Sequence, residues 1–378
     1  MVLAFWLSLL TLLYIYIGYP LLVWTLAMLV GHEPTRGDMT PTVSLLIPAY
    51  NEAAHIQTKL ENSLALNYPK ERFEIVVASD GSTDGTNAIV ERYRSHGVVL
   101  HAMPTNMGKA AMLSQVVPLL HGEMVVFSDA SSELAPDALR VLLSNFADPH
   151  VGCVSGLYRL LDRSDLRAEG EGLYWRYETF IKQQESRLHS ILGAHGAFYA
   201  IRKGLFQDVT RSVINDDYLI PMRAVAQGYR AVYEPRACAW ERETSSVESE
   251  FARRRRIAAG NCQQMIELRQ MLSPRYGWVA FCFFSHKVLR TVAPFFMLFM
   301  LLATFWLPQP FLLIFITLQS VLYVSAWIGY LCQRQGRAIR WLSPPLYFCL
   351  GNLAMLDGLL KYCFNRRRLA WGRVPARP

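Results

Sequence analysis

No charged side chain occurs between Met1 and Gly31, a run longer than the roughly 20 apolar residues that cross a bilayer. It predicts a membrane helix over 1–31. A cleaved leader would start with basic residues ahead of a short apolar core, and Met1-Val2-Leu3-Ala4-Phe5-Trp6 offers none. A second uncharged run, Thr291 to Gln333, is long enough for two helices, with Pro308-Gln309-Pro310 at the turn, and predicts a transmembrane hairpin over 291–333. A third apolar segment, 341–363, carries Asp357 and Lys361 and is expected to span or re-enter. Its direction is open, because the loop Arg334 to Arg340 and the tail 364–378 are both basic. Between 271 and 290, Trp and Phe mix with His286, Lys287 and Arg290, the composition of a helix in the headgroup plane.

The segment 41–270 has no such run and predicts a globular domain. Val43-Ser44-Leu45-Leu46-Ile47 reads as a buried strand, followed by a helical stretch, then Phe73-Glu74-Ile75-Val76-Val77-Ala78 and a helix from Asn87. Glu123 to Phe127 forms a third strand after a helix around Ala110 to Leu120. Alternating strand and helix predict an α/β, Rossmann-like, mostly parallel sheet, whose ligands bind beyond the carboxyl ends of the strands.

Composition supports the division: 52% of residues are hydrophobic, high for a wholly soluble chain. The net charge of +8 does not point to nucleic acid, because the Lys and Arg residues cluster beside apolar segments, as the positive-inside rule and anionic lipid headgroups favour. The seven Cys have no paired spacing, so neither zinc nor a disulfide framework is indicated.

Directly after each apolar strand stands a polar cluster: Pro48-Ala49-Tyr50-Asn51-Glu52, then Ser79-Asp80-Gly81-Ser82-Thr83-Asp84-Gly85, then Ser128-Asp129-Ala130-Ser131. Asp-Gly pairs are ordinary turn chemistry, but three acidic loops on one sheet edge suit a nucleotide whose diphosphate is bridged by Mg²⁺ or Mn²⁺. Asp129 is the candidate metal ligand. No GxGxxG follows the first strand and no GxxxxGK[ST] occurs, so dehydrogenase and P-loop readings fall away.

Across 41–262 these motifs resemble the inverting family-2 glycosyltransferases of GT-A fold, whose membrane members include cellulose, chitin, hyaluronan and poly-N-acetylglucosamine synthases. The resemblance rests on Val43 to Glu52, Asp80 to Thr86, Asn106-Met107-Gly108-Lys109-Ala110, the Asp129 cluster, Gly193 to Lys203, and Asn215-Asp216-Asp217. It implies that Glu52 and Asp80 hold the uracil and ribose, that Lys109 lies near the nucleotide, that Asp129 binds the metal, and that His195 and Gly196 approach the acceptor. Where relatives carry a DxD pair, Ser131 offers only a hydroxyl beside Asp129.

Asn215 is a good helix N-cap, and two carboxylates in a first turn are stabilised by the helix dipole. An ionised carboxylate there can also take a proton from an attacking sugar hydroxyl. The resemblance implies Asp217 as that base, with Asp216 as the second choice. Arg256 falls where many polymerising relatives carry the Arg of QxxRW, and its guanidinium suits a departing diphosphate, although Ile257 replaces the Trp.

The sequence thus predicts a hexosyltransferase of the inner membrane with a cytosolic catalytic domain. It is expected to move a sugar from UDP-GlcNAc or UDP-glucose to a growing exopolysaccharide, with membrane lipids and export proteins as partners and no nucleic acid. Single transfer to a lipid-linked polyprenyl acceptor is the alternative. A transporter or nucleotide-binding scaffold is the remote one, since neither needs Lys109, Asp129 and Asp217 together.

Overall fold

The computed structural model describes residues 1–160, 166–210, 212–241, 247–335, 337 and 339–364, so the expected basic tail lies, from 365 onward, outside the described residues. The chain divides into two compact units. One comprises Val30–Leu161 and Lys182–Glu243, the other Met1–Leu29, Asp162–Ile181 and Thr244–Pro378.

The first unit is built on strands β1 (Val43–Ala49), β2 (Phe73–Ser79), β3 (Val98–Ala102), β4 (Met124–Phe127), β5 (Ser132–Leu134), β6 (Val151–Leu160), β7 (Tyr199–Arg202) and β8 (Arg230–Glu241). They form one sheet in the order β3-β2-β1-β4-β7-β6-β8-β5. Every residue of β1 is buried, which is why this strand reads as a continuous apolar run rather than an alternation. Strands β1 to β4 are mutually parallel, as expected, with β3 added to the predicted set. The second half is mixed: β7 runs antiparallel to β4 and β6, and β5 antiparallel to β8. Ala49 pairs with Ser79 and Leu46 with Phe127, so the turns following β1, β2 and β4 leave from the same edge.

In the other unit, three helices among the described residues are long and apolar enough to cross a membrane: Val2–Val30, Trp278–Thr304 and Phe311–Arg334. Of the segment expected to lie in the headgroup plane, 271–290, the part from Trp278 is continuous with a helix that runs to Thr304. No Gly or Pro interrupts residues 278–290, and His286, Lys287 and Arg290 therefore sit on a candidate span. The segment expected over 341–363 forms the helix Ser343–Phe364, and its Asp357 pairs with Lys361 at 3.0 Å and Arg255 at 3.6 Å. Polar contacts knit the bundle. Tyr14 meets Ser285 at 2.7 Å, Tyr16 donates to Asn352 at 2.9 Å, and Gln319 donates to Thr304 at 2.8 Å. Such bonds hold helices together where apolar side chains gain little from leaving lipid.

Candidate active site

The loop after β1 turns at Asn51, whose φ is 54°. Its side-chain oxygen accepts the Thr83 N–H at 2.8 Å, while the Glu52 N–H donates to the Thr86 hydroxyl at 2.9 Å. The loops after β1 and β2 are thereby tied together, and Glu52 is half-buried beside the Asp80 loop. Asp80 is fully buried, and its two oxygens accept the N–H groups of Met107 and Gly108, each at 2.8 Å. That clasp fixes the backbone where the helix Lys109–Val116 begins.

Lys109 is consequently aimed across the sheet edge. Its ammonium lies 3.0 Å from Asp129 Oδ1 and 3.5 Å from Asp216 Oδ2. Burial alone would lower the Lys109 pKa, yet the surrounding Asp129, Asp216 and Asp217 outweigh burial and raise it. Asp129 is likewise opposed by burial, but Lys109 draws its carboxyl below the usual range.

Asn215 occupies the N-cap position of the helix Asp216–Ala226, which puts both acids in the first turn. Burial, with Asp216 and Asp129 nearby, pushes the Asp217 carboxyl up to about 6. Its Oδ2 accepts the Gly196 N–H at 3.1 Å. A Cβ on Gly196 would lie 3.2 Å from Asp129 Oδ2 and 3.3 Å from Asp217 Oδ2. The two carboxylates therefore close on one residue that has no side chain to hold them apart.

Other expected residues are placed differently. His195 stacks on Tyr158 with ring centroids 4.1 Å apart, and its Nδ1 accepts the Ala197 N–H at 3.2 Å, which leaves the ring hydrogen on Nε2. The Ser131 hydroxyl donates to Glu241, which also accepts the Tyr158 hydroxyl at 2.7 Å. Of the expected metal pair, only Asp129 therefore faces the space over Gly196. Arg256 lies on the helix Val247–Glu267 and belongs to the helical unit.

Lys59, Glu241 and Tyr158 are absent from the sequence reading. Lys59 is 1% exposed, and its ammonium donates to the Ser128 hydroxyl and the Ser132 carbonyl, both at 2.7 Å, directly beneath the Asp129 turn. The signal was available: Ile56, Lys59, Leu60 and Ser63 form the buried face of one short helix, and a charge at a core position of that spacing is unusual. Burial lowers the Lys59 pKa to about 7, against the pull of Asp129, Glu133 and Glu241.

Between about pH 7 and the ordinary lysine value the unfolded chain holds a proton here that the folded chain has lost, so stability rises with pH across that window. Below it both states are protonated and the full cost of the buried charge remains. Thermal unfolding of the full chain from pH 7 to 10 should accordingly show a slope that Lys59→Met removes. The difference amounts to a few kcal/mol at most, on the order of 1.4 kcal/mol per pH unit. Parallel slopes for the two proteins would contradict the assignment.

Comparison with known proteins adds the following. The description "Glycosyltransferase like family 2" matches residues 41–260. A "Poly-beta-1,6-N-acetyl-D-glucosamine synthase" of Staphylococcus aureus (strain COL) is 26% identical over 235 residues, 61% of this chain and 57% of the relative. The Staphylococcus epidermidis protein of the same name is 26% identical over 241 residues, covering 62% of this chain and 57% of its own length. The match thus spans little more than half of these relatives. Among solved structures, a mannosyltransferase from Pyrobaculum calidifontis in complex with GDP-Man and Mn²⁺ superposes with a TM-score of 0.74 at 21% identity, covering 96% of this chain and 99% of that one. The fold is accordingly GT-A. With the family description covering more than half of its length, the chain belongs to glycosyltransferase family 2.

Proposed function

We propose that the chain transfers a hexosyl unit from a nucleoside-diphosphate sugar, UDP-GlcNAc or UDP-glucose, to a growing β-linked exopolysaccharide by a single inverting displacement. One observation carries this reading: Asp129 Oδ2 and Asp217 Oδ2 close together on Gly196, 3.2 and 3.3 Å from where a Cβ would stand. Asp217 takes the proton from the acceptor hydroxyl as that oxygen attacks the anomeric carbon, and its carboxyl at about 6 remains ionised at neutral pH. Lys109 offers positive charge to the departing diphosphate. Asp80 acts through the loop it clasps, and Glu52 faces the nucleoside end.

A divalent cation fits this arrangement only as a shared guest. Among the described residues no group of three or more His, Cys, Asp or Glu is arranged to hold a metal, while Asp129 turns Oδ1 to Lys109 and Oδ2 toward Gly196. Bound there with nucleotide oxygens, Mg²⁺ or Mn²⁺ would neutralise charge on the leaving group. Synthase activity of the staphylococcal relatives supports the polymer product, and the three apolar helices support an integral membrane location; the catalytic unit is assigned to the cytosolic side, where nucleotide sugars are met. A second reading, one transfer to a lipid-linked acceptor, is favoured by Ile257 standing where polymerising relatives carry Trp.

Incubating the full chain in detergent with a panel of UDP-sugars and GDP-mannose, with and without Mg²⁺ or Mn²⁺, tests both readings. UDP release with a ladder of products is expected. A single lipid-soluble adduct would support the second reading, and no nucleotide release from any donor would overturn the transferase mechanism.

A further inference from the structure

The ladder between β4 and β7 ends at the pair Phe127–Tyr199. Just beyond it one strand turns to present Asp129 and the other has come from Gly196, so pairing between these strands no longer sets the distance between the two groups. Lys59 reaches this place from the buried face of the helix Ile56–Leu64. Its Nζ donates to the Ser128 hydroxyl and the Ser132 carbonyl, both at 2.7 Å, and so holds the turn on either side of Asp129. The Ser128 hydroxyl passes its own hydrogen to the Ala197 carbonyl at 2.7 Å, and the Ser132 hydroxyl donates to the Asp129 carbonyl at 2.8 Å. Ala197 follows Gly196, whose N–H is bound to Asp217 Oδ2 at 3.1 Å. One amine therefore ties the Asp129 turn to the loop that meets Asp217.

Lys59, Ser128 and Ser132 are all buried. Lysine is a costly choice for such a position, because burial strips its ammonium of water and its hydrogen-bond partners here, hydroxyl and carbonyl oxygens, carry no charge. Ile56 and Leu60 on the same face show what packing alone selects. A donor at the end of a long stem does what they cannot: it fixes two oxygens that flank one acid. The amine keeps N–H donors after losing a proton, so the ties hold in both charge states. Groups that orient a ligating carboxylate from behind matter to what it binds, and their loss typically costs about 10- to 100-fold in metal affinity or activity.

We propose that Lys59 is a positioning residue, which sets Asp129 against Gly196 and Asp217 through Ser128 and Ser132. The proposal rests on the donor site read at Asp129 and Asp217.

Two measurements on full-chain Lys59→Met in detergent test it. Titration with UDP in the presence of Mn²⁺ should show binding weakened roughly tenfold, and the Mn²⁺ concentration for half-maximal nucleotide release should rise by a similar factor. A residue that only stabilised the fold would lower the amount of active protein and leave both constants unchanged. Amide exchange followed by mass spectrometry reads the tie itself and needs no ligand. Peptides covering 128–132 and 193–198 should exchange faster in the variant, and those covering β2 and β3 should not. Ser128→Ala cuts the link to Ala197 while leaving the amine on the Ser132 carbonyl, and should weaken binding in the same direction by about threefold. Combined with Lys59→Met it should cost less than the product of the two, since both act through one bond. If Lys59→Met does not fold, Ser128→Ala carries both measurements. No Mn²⁺-dependent UDP binding by the unaltered chain would remove the donor-site reading, and exchange alone then decides the role of Lys59. The proposal is overturned if a variant unfolding at the temperature of the unaltered chain keeps its Mn²⁺-dependent UDP affinity, or if the two segments exchange at the unaltered rate.

Discussion

Asp217→Asn is expected to lower sugar transfer by roughly 10²-fold or more while leaving nucleotide binding within about twofold of the unaltered chain. The exchange preserves shape, and an amide oxygen can accept the Gly196 N–H that Asp217 Oδ2 accepts at 3.1 Å. What it removes is the ability to take a proton. The unaltered chain should also show an acid limb: with the carboxyl at about 6, the base is ionised at pH 7 and is progressively protonated below that value. kcat/KM should then fall about tenfold for each further pH unit. The Asn variant should lack this limb. Asp216→Asn behaves differently, because Asp216 is a partner of Lys109 at 3.5 Å and its loss should appear mainly in donor KM. Near-normal turnover by the Asp217 variant at an unchanged unfolding temperature would remove that residue from the base role.

The parts of this arrangement visible in the sequence are those that local chemistry dictates. Buried parallel strands must be continuous apolar runs, so Val43 to Ala49, Phe73 to Ser79 and Met124 to Phe127 stand out, and the polar turns after them fall on one edge by topology alone. The acids at 216 and 217 were legible as an N-terminal helical turn. Tertiary partners were not. Nothing near Ser131 in sequence announces Glu241, 110 residues away, and nothing near His195 announces the Tyr158 ring beneath it. Lys59 stands at a core position of its helix, but nothing near it in sequence announces its partners, the Ser128 hydroxyl and the Ser132 carbonyl. In the helical unit, composition suggested a helix lying in the headgroup plane, and the same basic residues stand on the helix Trp278–Thr304, a candidate span. Composition reports which side chains meet water or lipid, but it does not fix where a helix ends: this one runs on through Pro294.

Gly196→Val should be as damaging to transfer as loss of the base, with little change in stability. The glycine is not required by its backbone, since its φ lies outside the left-handed region where L side chains are strained. Space is the reason for it. A Cβ alone would sit 3.2 Å from Asp129 Oδ2 and 3.3 Å from Asp217 Oδ2, and the two further methyl groups of valine would fill the gap where donor and acceptor must meet. Both close neighbours are side-chain oxygens rather than backbone, so the fold can accommodate the change by moving the carboxylates. That movement is what harms catalysis, because a shift of about 1 Å in a catalytic group costs on the order of 10²-fold in rate. Gly196→Ala, which brings the contacts but not the extra bulk, should lose roughly tenfold. Steady-state transfer together with thermal unfolding checks both variants. A valine variant that keeps its unfolding temperature and its kcat would show that the space over Gly196 is not where the reacting groups meet.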